Sequence, residues 1–161
     1  MIPPDDPAKS PDSVPAPVAR PGAAPVPDSH LDLFSRAVPA VLTTMMPDGR
    51  PQSSLVWVDY DGECARVNTT RERLKGRNIA ADPRVSLLVV DPDNTARYLQ
   101  VRGEAQLVEE GALEHLDELT RRYTEHPRYY GFVRPLAQQG RETRVICRIH
   151  ARRITLDAIH A

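Results

Sequence analysis

The chain has 161 residues, of which 40% are hydrophobic, 27% charged and 5% aromatic, the content of one globular domain with a modest tail and too little for two full domains. Lys and Arg total 21 against 22 Asp and Glu, a net charge of -1, so no overall positive field exists to hold a nucleic-acid backbone, which argues against a general polyanion binder. No run of about 18 apolar residues occurs, and the N-terminus lacks the basic-then-apolar order of a secretory signal, which gives the expectation of a cytoplasmic protein with no membrane partner.

Residues 1 to 29 hold nine of the sixteen prolines and none of the aromatic residues. Such a stretch buries too little apolar surface to offset the entropy of ordering it, so a disordered, polyproline-like leader is expected ahead of a folded domain over 30 to 161. Ser29 is placed to cap a short helix that carries Leu31, Phe34 and Val38 on one side and ends at Pro39. A strand follows from Ala40 to Met46. Pro47-Asp48-Gly49-Arg50 then turns the chain into a second strand from Gln52 to Tyr60, because Pro presets φ and Gly accepts positive φ. Asp61-Gly62 makes a second hairpin into Glu63 to Thr69. Arg71 to Ala81 reads as a short helix that Thr69 or Thr70 caps, and Asp82-Pro83 ends it because the residue before Pro avoids the α region.

Val85 to Val90 is nearly all apolar, as in a strand buried on both faces, and Asp91-Pro92-Asp93-Asn94 turns it back. The next strand alternates, with Leu99, Val101, Ala105 and Leu107 on one face and Tyr98, Gln100, Arg102, Glu104 and Gln106 on the other. Leu113, Leu116, Leu119 and Tyr123 recur at helical spacing, with Glu118 and Arg122 paired on the wet side. The last strand is Arg144 to His150, with Val145, Cys147 and Ile149 inward. Six strands, with a helix between the third and fourth, predict a mainly β fold, a small antiparallel barrel.

No pattern announces classical catalysis. The five histidines show no i,i+3 or i,i+4 pairing and no Glu or Cys at a ligand spacing near them, so no metal site is expected. Cys64 and Cys147 stand apart and read as reduced core thiols. Ser53-Ser54 lies inside a strand, where a nucleophile elbow does not occur, and neither a dinucleotide glycine fingerprint nor a P-loop is present. Thr69-Thr70-Arg71-Glu72-Arg73-Leu74-Lys75 does stand out. Two hydroxyls at a strand end, free backbone N–H groups and three cations at a helix start have the chemistry of a phosphate cradle, although a solvated basic face carries the same residues.

Three stretches carry a resemblance that covers about residues 31 to 158. They are Asp48-Gly-Arg-Pro-Gln-Ser-Ser-Leu-Val-Trp-Val-Asp-Tyr-Asp-Gly62, the run from Val67-Asn-Thr-Thr-Arg-Glu-Arg-Leu-Lys to Asp82-Pro-Arg-Val85, and Asp91-Pro-Asp-Asn-Thr-Ala-Arg-Tyr-Leu-Gln-Val-Arg-Gly103. In this order they resemble the pyridoxamine 5'-phosphate oxidase-like split-barrel family, most closely its branch that uses the deazaflavin coenzyme F420. The resemblance implies a six-stranded antiparallel split β-barrel of the FMN-binding type with two or three short helices. It also implies a homodimer with cofactor sites in the interface.

Carried over by residue, Gln52, Ser53, Ser54, Leu55 and Val56 resemble the strand that lines the tricyclic ring. Thr69 and Thr70 look like its hydroxyl pair, and Arg73 and Lys75, with Leu74 between them, like its phosphate ligands, with Asn78 close by. Tyr98 stands where flavin-binding relatives often have a Gln touching the ring. Trp57 reads equally as a ring contact and as a core or interface aromatic. Arg153 and His160 are near enough to the C-terminus to reach a partner subunit's site, though a surface tail is the simpler reading. The Thr124-Glu-His-Pro-Arg-Tyr-Tyr-Gly131 loop departs from the family pattern and is placed to shape a substrate pocket. The activity implied is hydride transfer from reduced deazaflavin to an unsaturated organic small molecule, with Tyr98 and water both open as proton source. An FMN-dependent oxidase or reductase, and a carrier that binds a flavin or deazaflavin without turnover, are the alternatives.

Overall fold

The structure, a computed structural model, describes residues 24–157. A 3-10 turn (Asp28–His30) and the short helix α1 (Asp32–Ser35) precede β1 (Ala40–Met45) and β2 (Pro51–Val56). Then come β3 (Val58–Tyr60), β4 (Ala65–Thr70), α2 (Leu74–Ala81), β5 (Arg84–Val90), β6 (Tyr98–Val108), α3 (Ala112–Tyr123) and β7 (Arg144–Leu156). The strands form one sheet in the order β2-β1-β5-β6-β7-β4-β3, with every pairing antiparallel. Its two outermost strands, β2 and β3, are consecutive in sequence and separated by Trp57 alone. The chain therefore leaves one edge of the sheet and joins the other within one residue, which curls the sheet into a split barrel. This is the mainly β fold expected, with seven strands in place of six because the stretch read as a single strand from Gln52 to Tyr60 breaks at Trp57.

Alternation fills the barrel. Leu42, Leu87, Leu99, Val58, Val67 and Ile149 are fully buried, each on the inward phase of its strand. At the β1–β2 turn the Met46 carbonyl accepts from the Gly49 N–H at 2.9 Å, with Gly49 at φ +82°, as the Pro-Asp-Gly signal requires. At the second turn Asp61 Oδ1 accepts the N–H groups of Glu63 and Cys64 at 2.9 and 2.7 Å.

Three boundaries differ from the sequence reading. Helix α2 begins at Leu74, not Arg71: Thr70 is in strand β4, its Oγ1 accepts the Arg73 N–H at 3.2 Å, and residues between them form a turn. Strand β7 runs on to Leu156 because the long β6 offers a partner that far. The folded unit also starts before residue 30. Val26 is buried in the core and the Ala24 N–H donates to the Ala151 carbonyl at 3.1 Å, so the last residues of the proline-rich stretch pack on the barrel. The rest of the leader, and His160, lie outside the described residues.

Helix α2 lies hard against the end of β4. A Cβ on Gly76 would stand 2.0 Å from the Thr70 carbonyl oxygen, which is backbone and cannot step aside. Gly76→Ala is therefore expected to lower stability by about 1–3 kcal/mol or more in denaturant titrations. Gly140→Ala, whose Cβ would meet nothing within 4 Å, serves as the neutral control.

Candidate functional site

Where the barrel splits, a cavity of about 500 Å³ opens. One wall is apolar: Leu55 and Val56 at the end of β2, Trp57 at the break, and Leu116 and Leu119 from α3. The other carries Arg73 and Lys75 from the β4–α2 junction, Arg134 and Tyr129 from the turn after α3, and Arg144 at the start of β7. No carboxylate lines it. A site with four cations on one side and an aromatic-aliphatic surface on the other is built for an amphipathic anion.

Trp57 is held as part of that wall. It stacks on Tyr123, with ring centroids 5.4 Å apart and 15° between planes, and meets Tyr129 edge-on at 6.3 Å. The Tyr123 hydroxyl occupies the gap that the strand break leaves. It accepts the Val58 N–H at 3.1 Å and lies 2.8 and 3.0 Å from the Val38 and Val58 carbonyls, either of which takes its proton. Beyond α3, the Tyr129 carbonyl collects the N–H groups of Val133 and Arg134 at 2.8 and 3.1 Å, a tight turn that Gly131 permits at φ +91°. That turn aims Tyr129 and Arg134 back into the cavity.

The electrostatics are set by cations gathered close together. Burial, and then the neighbouring Arg73, push the Lys75 ammonium below its usual range. Burial raises the Tyr129 phenol, but hydrogen bonds from Arg73, Arg134 and Arg144 outweigh it and bring it below normal. Arg144 is buried, with its guanidinium carbon 4.7 Å from the Tyr129 ring centre and its Nε donating to the Tyr130 hydroxyl at 2.8 Å. Its Nη2 is 3.0 Å from Glu142 Oε2 yet makes no aligned hydrogen bond, so the contact is ionic and buried N–H donors remain unspent. An anionic oxygen at that atom would complete the guanidinium's hydrogen bonds.

Behind the wall, a buried chain of polar groups fixes Asn68. Its Nδ2 donates to the Ala112 carbonyl at 2.7 Å and lies 3.3 Å from His115 Nδ1. His115 Nε2 is 3.2 Å from Asp59 Oδ1, and Arg66 grips the same carboxylate with two bonds of 2.9 and 2.7 Å. With Nε2 donating to the carboxylate, Nδ1 accepts from the Asn68 amide, which turns the Asn68 oxygen toward Arg144, 3.5 Å away. Burial alone would raise the Asp59 carboxyl, but the bonds from His115 and Arg66 hold it down at about 2.

Of the residues singled out in the sequence, Leu55, Val56, Trp57, Arg73 and Lys75 line the cavity together. Leu74 is exposed and does not line the cavity. The hydroxyl pair is elsewhere: Thr69 and Thr70 are buried, Thr70 occupied with the Arg73 N–H and Thr69 Oγ1 without a partner inside the barrel. Asn78 is buried too, donating to Thr44 Oγ1 at 3.0 Å, and Thr44 in turn donates to Gln52 at 3.3 Å, so both residues tie α2 to the β1–β2 hairpin. Ser53 bonds Thr43 at 2.8 Å on the outer face, while the buried Ser54 hydroxyl has no partner. Tyr98 starts β6 and its carbonyl accepts the Asp157 N–H, and exposed Arg153 pairs with Arg102 in the β6–β7 ladder; neither lines the cavity. Sequence reasoning missed Asn68, Arg134 and Arg144. The one available signal was the tyrosine-rich loop, which leads directly into Arg134.

The chain matches the family description "Pyridoxamine 5'-phosphate oxidase" over residues 26–156. Among solved structures it is similar to an F420 reductase, at 35% identity and TM-score 0.69, covering 81% of this chain and 98% of that one. It is also similar to a conserved hypothetical protein of Mycobacterium tuberculosis, at 30% identity and TM-score 0.63, covering 86% and 88% respectively. General Stress Protein 26 of Bacillus anthracis, at 20% identity and TM-score 0.57 over 78% and 88%, shares the fold. No helix among the described residues is long and apolar enough to cross a membrane.

The Asp59 chain sets an acid limit. A carboxyl held at about 2 in the folded state against 3.8 when free gives stability that is complete above about pH 4 and drains away as pH falls toward 2. Asp59→Asn is therefore expected to cost on the order of 2 kcal/mol at pH 7, with the gap to wild type closing at low pH. Denaturant titrations at pH 7 and pH 3 check this, and a gap equal at both values contradicts it.

Proposed function

The chain belongs to the pyridoxamine 5'-phosphate oxidase family, and from that premise we propose that it is a reductase using the deazaflavin coenzyme F420 to reduce an unsaturated organic molecule. The observation that carries this reading is the two-sided cavity: an apolar wall ending in Trp57 beside Arg73, Lys75, Arg134 and the incompletely bonded Arg144. The 35% identical F420 reductase, matched over nearly its whole length, directs the choice within the family.

The residues present fit such a group: Arg73, Lys75, Arg134 and Arg144 would hold an anionic tail, and Leu55, Val56 and Trp57 would line a planar ring. When bound, the coenzyme supplies the hydride. The protein's part is positional: the cations would fix the tail, and the apolar wall would exclude water and align the ring. Tyr129, whose phenol the three arginines hold below its usual range, keeps a titratable proton inside the cavity. Two copies of the chain are proposed to pair around this site. Leu55, on the edge strand β2 and lining the cavity, is 73% exposed, and Val133 on the same rim is also exposed, so a second subunit would cover both.

Titration of the purified apo-protein with F420 and with FMN separates the cofactors. Tighter binding of F420 supports the proposal, and tight FMN binding with no F420 binding reassigns the protein to flavin chemistry. Lys75→Ala and Arg73→Ala are each expected to weaken F420 binding roughly 10- to 150-fold, from about 1.5–3 kcal/mol per charge-assisted contact. Turnover at saturating coenzyme should hardly change, and raised salt should weaken wild type more than either variant.

The dimer has its own test by light scattering. Deletion of residues 1–23, which spares Val26, is expected to leave a dimer, and Leu55→Lys is expected to shift it toward monomer. A monomeric wild type refutes the pairing.

A further inference from the structure

At the far end of the β4–β7 ladder from the cavity, three side chains of metal-ligating chemistry meet. Ala65 pairs with Ile149, so Cys64, one residue earlier, faces His150, and the second hairpin turn brings Glu63 alongside. Cys64 Sγ is 3.4 Å from His150 Nδ1. One ligand atom from each of Glu63, Cys64 and His150 falls within 4.8 Å of the others. The sequence gives no hint of this group, because 86 residues separate Cys64 from His150 and only the strand pairing joins them.

The distances suit a small tetrahedral ion. With metal–sulfur near 2.3 Å and metal–nitrogen near 2.05 Å, a tetrahedral angle separates the two donors by about 3.5 Å. The thiol and the imidazole are already at that span, and both are fixed by the sheet. Glu63 is exposed, and closes on them by rotating its side chain. Charge also balances. A thiolate and a carboxylate neutralise a divalent cation, with the imidazole neutral. The nearby cation, Arg148, has its Nη2 3.2 Å from Asp61 Oδ2 and 3.5 Å from Glu63 Oε2 and also hydrogen-bonds to the Cys64 sulfur, so it keeps Asp61 when Glu63 turns away and must release the sulfur as the metal takes it. The sulfur–nitrogen–oxygen set selects zinc-like ions over magnesium or calcium, which take oxygen ligands.

We propose that Cys64, His150 and Glu63 form a binding site for a zinc-class divalent transition metal, with water as the fourth ligand, that pins the β3–β4 turn to strand β7. The site stands apart from the cavity and does not depend on the assignment of F420. On binding, the Cys64 thiol gives its proton to solvent and the thiolate takes up the metal; no electron changes hands.

The experiment titrates the full chain, freed of metal by chelator, with Co2+ and follows the thiolate-to-cobalt charge-transfer absorption. The expected result is a band that saturates at one ion per chain, is displaced by Zn2+ and is absent in Cys64→Ser. His150→Gln and Glu63→Gln are expected to weaken binding at least tenfold, and Zn2+ should raise the thermal midpoint of wild type but not of Cys64→Ser. Should Cys64→Ser fail to fold, the two half-buried or exposed positions, His150 and Glu63, carry the test. Cys147→Ala is the control, since Cys147 lies on the inward face of β7. No band in wild type, a band surviving in Cys64→Ser, or wild-type affinity in both His150→Gln and Glu63→Gln overturns the site and leaves a thiol–imidazole hydrogen bond.

Discussion

A strand that must serve both edges of a curled sheet has to break, and a break inside a buried sheet strands backbone polar groups. The Tyr123 hydroxyl solves this by taking the Val58 N–H and giving its proton to a strand carbonyl, so a side chain from α3 stands in for the missing ladder. The ring beneath that hydroxyl stacks on Trp57, the residue at the break. One tyrosine thus seals the seam, docks α3 across it and sets the angle of the cavity's aromatic wall. Burial raises its phenol pKa, as expected for a group that acts only as a neutral hydrogen-bonding partner.

The cation wall depends on the same closure in a less direct way. Arg73 and Lys75 lie on a turn and a first helical turn that are pressed against β4 because residue 76 lacks a side chain. Arg144 enters β7 opposite Thr70, so the strand pairing that completes the barrel also carries a third cation to the cavity lining. Like charges converge there without carboxylates on the lining. Glu142, 3.0 Å from Arg144 Nη2, offsets one of these charges from behind the lining. A site organised in this way contributes affinity and orientation more than acid–base chemistry, which matches a fold whose reactions belong to a bound coenzyme.

What the sequence made legible was local. Pro47-Asp48-Gly49-Arg50, Asp61-Gly62 and the alternation from Tyr98 to Gln106 depend on neighbouring residues and are found where read. Arg73 and Lys75 were legible because charge beside a helix start is also a local pattern. Asn68, Arg134 and Arg144 were not, since each joins the cavity through pairing or packing between distant segments. The two hydroxyls are kept from the cavity for different reasons: strand alternation turns Thr69 into the barrel with Ala65 and Val67, while the Thr70 hydroxyl is taken by the Arg73 N–H. The start of the folded unit was misplaced for a similar reason. Val26 is an ordinary apolar residue in a polar, proline-rich context, and only packing on the barrel makes it core.

The β4–β7 ladder carries both the cavity and the thiol–imidazole cluster, with Arg144 opposite Thr70 at one end and His150 next to Ile149, opposite Ala65, at the other. At about 3.3 Å per residue, six residues of strand separate them by roughly 20 Å. Coupling across such a span needs an element with two arrangements, and an antiparallel ladder held by buried Val67, Val145, Cys147 and Ile149 has a single one. Rigid pairing therefore places the two groups on one scaffold without making either sense the other. That separation lets the hairpin end be fastened or loosened while the geometry of the cation wall stays fixed by β4, β7 and α2.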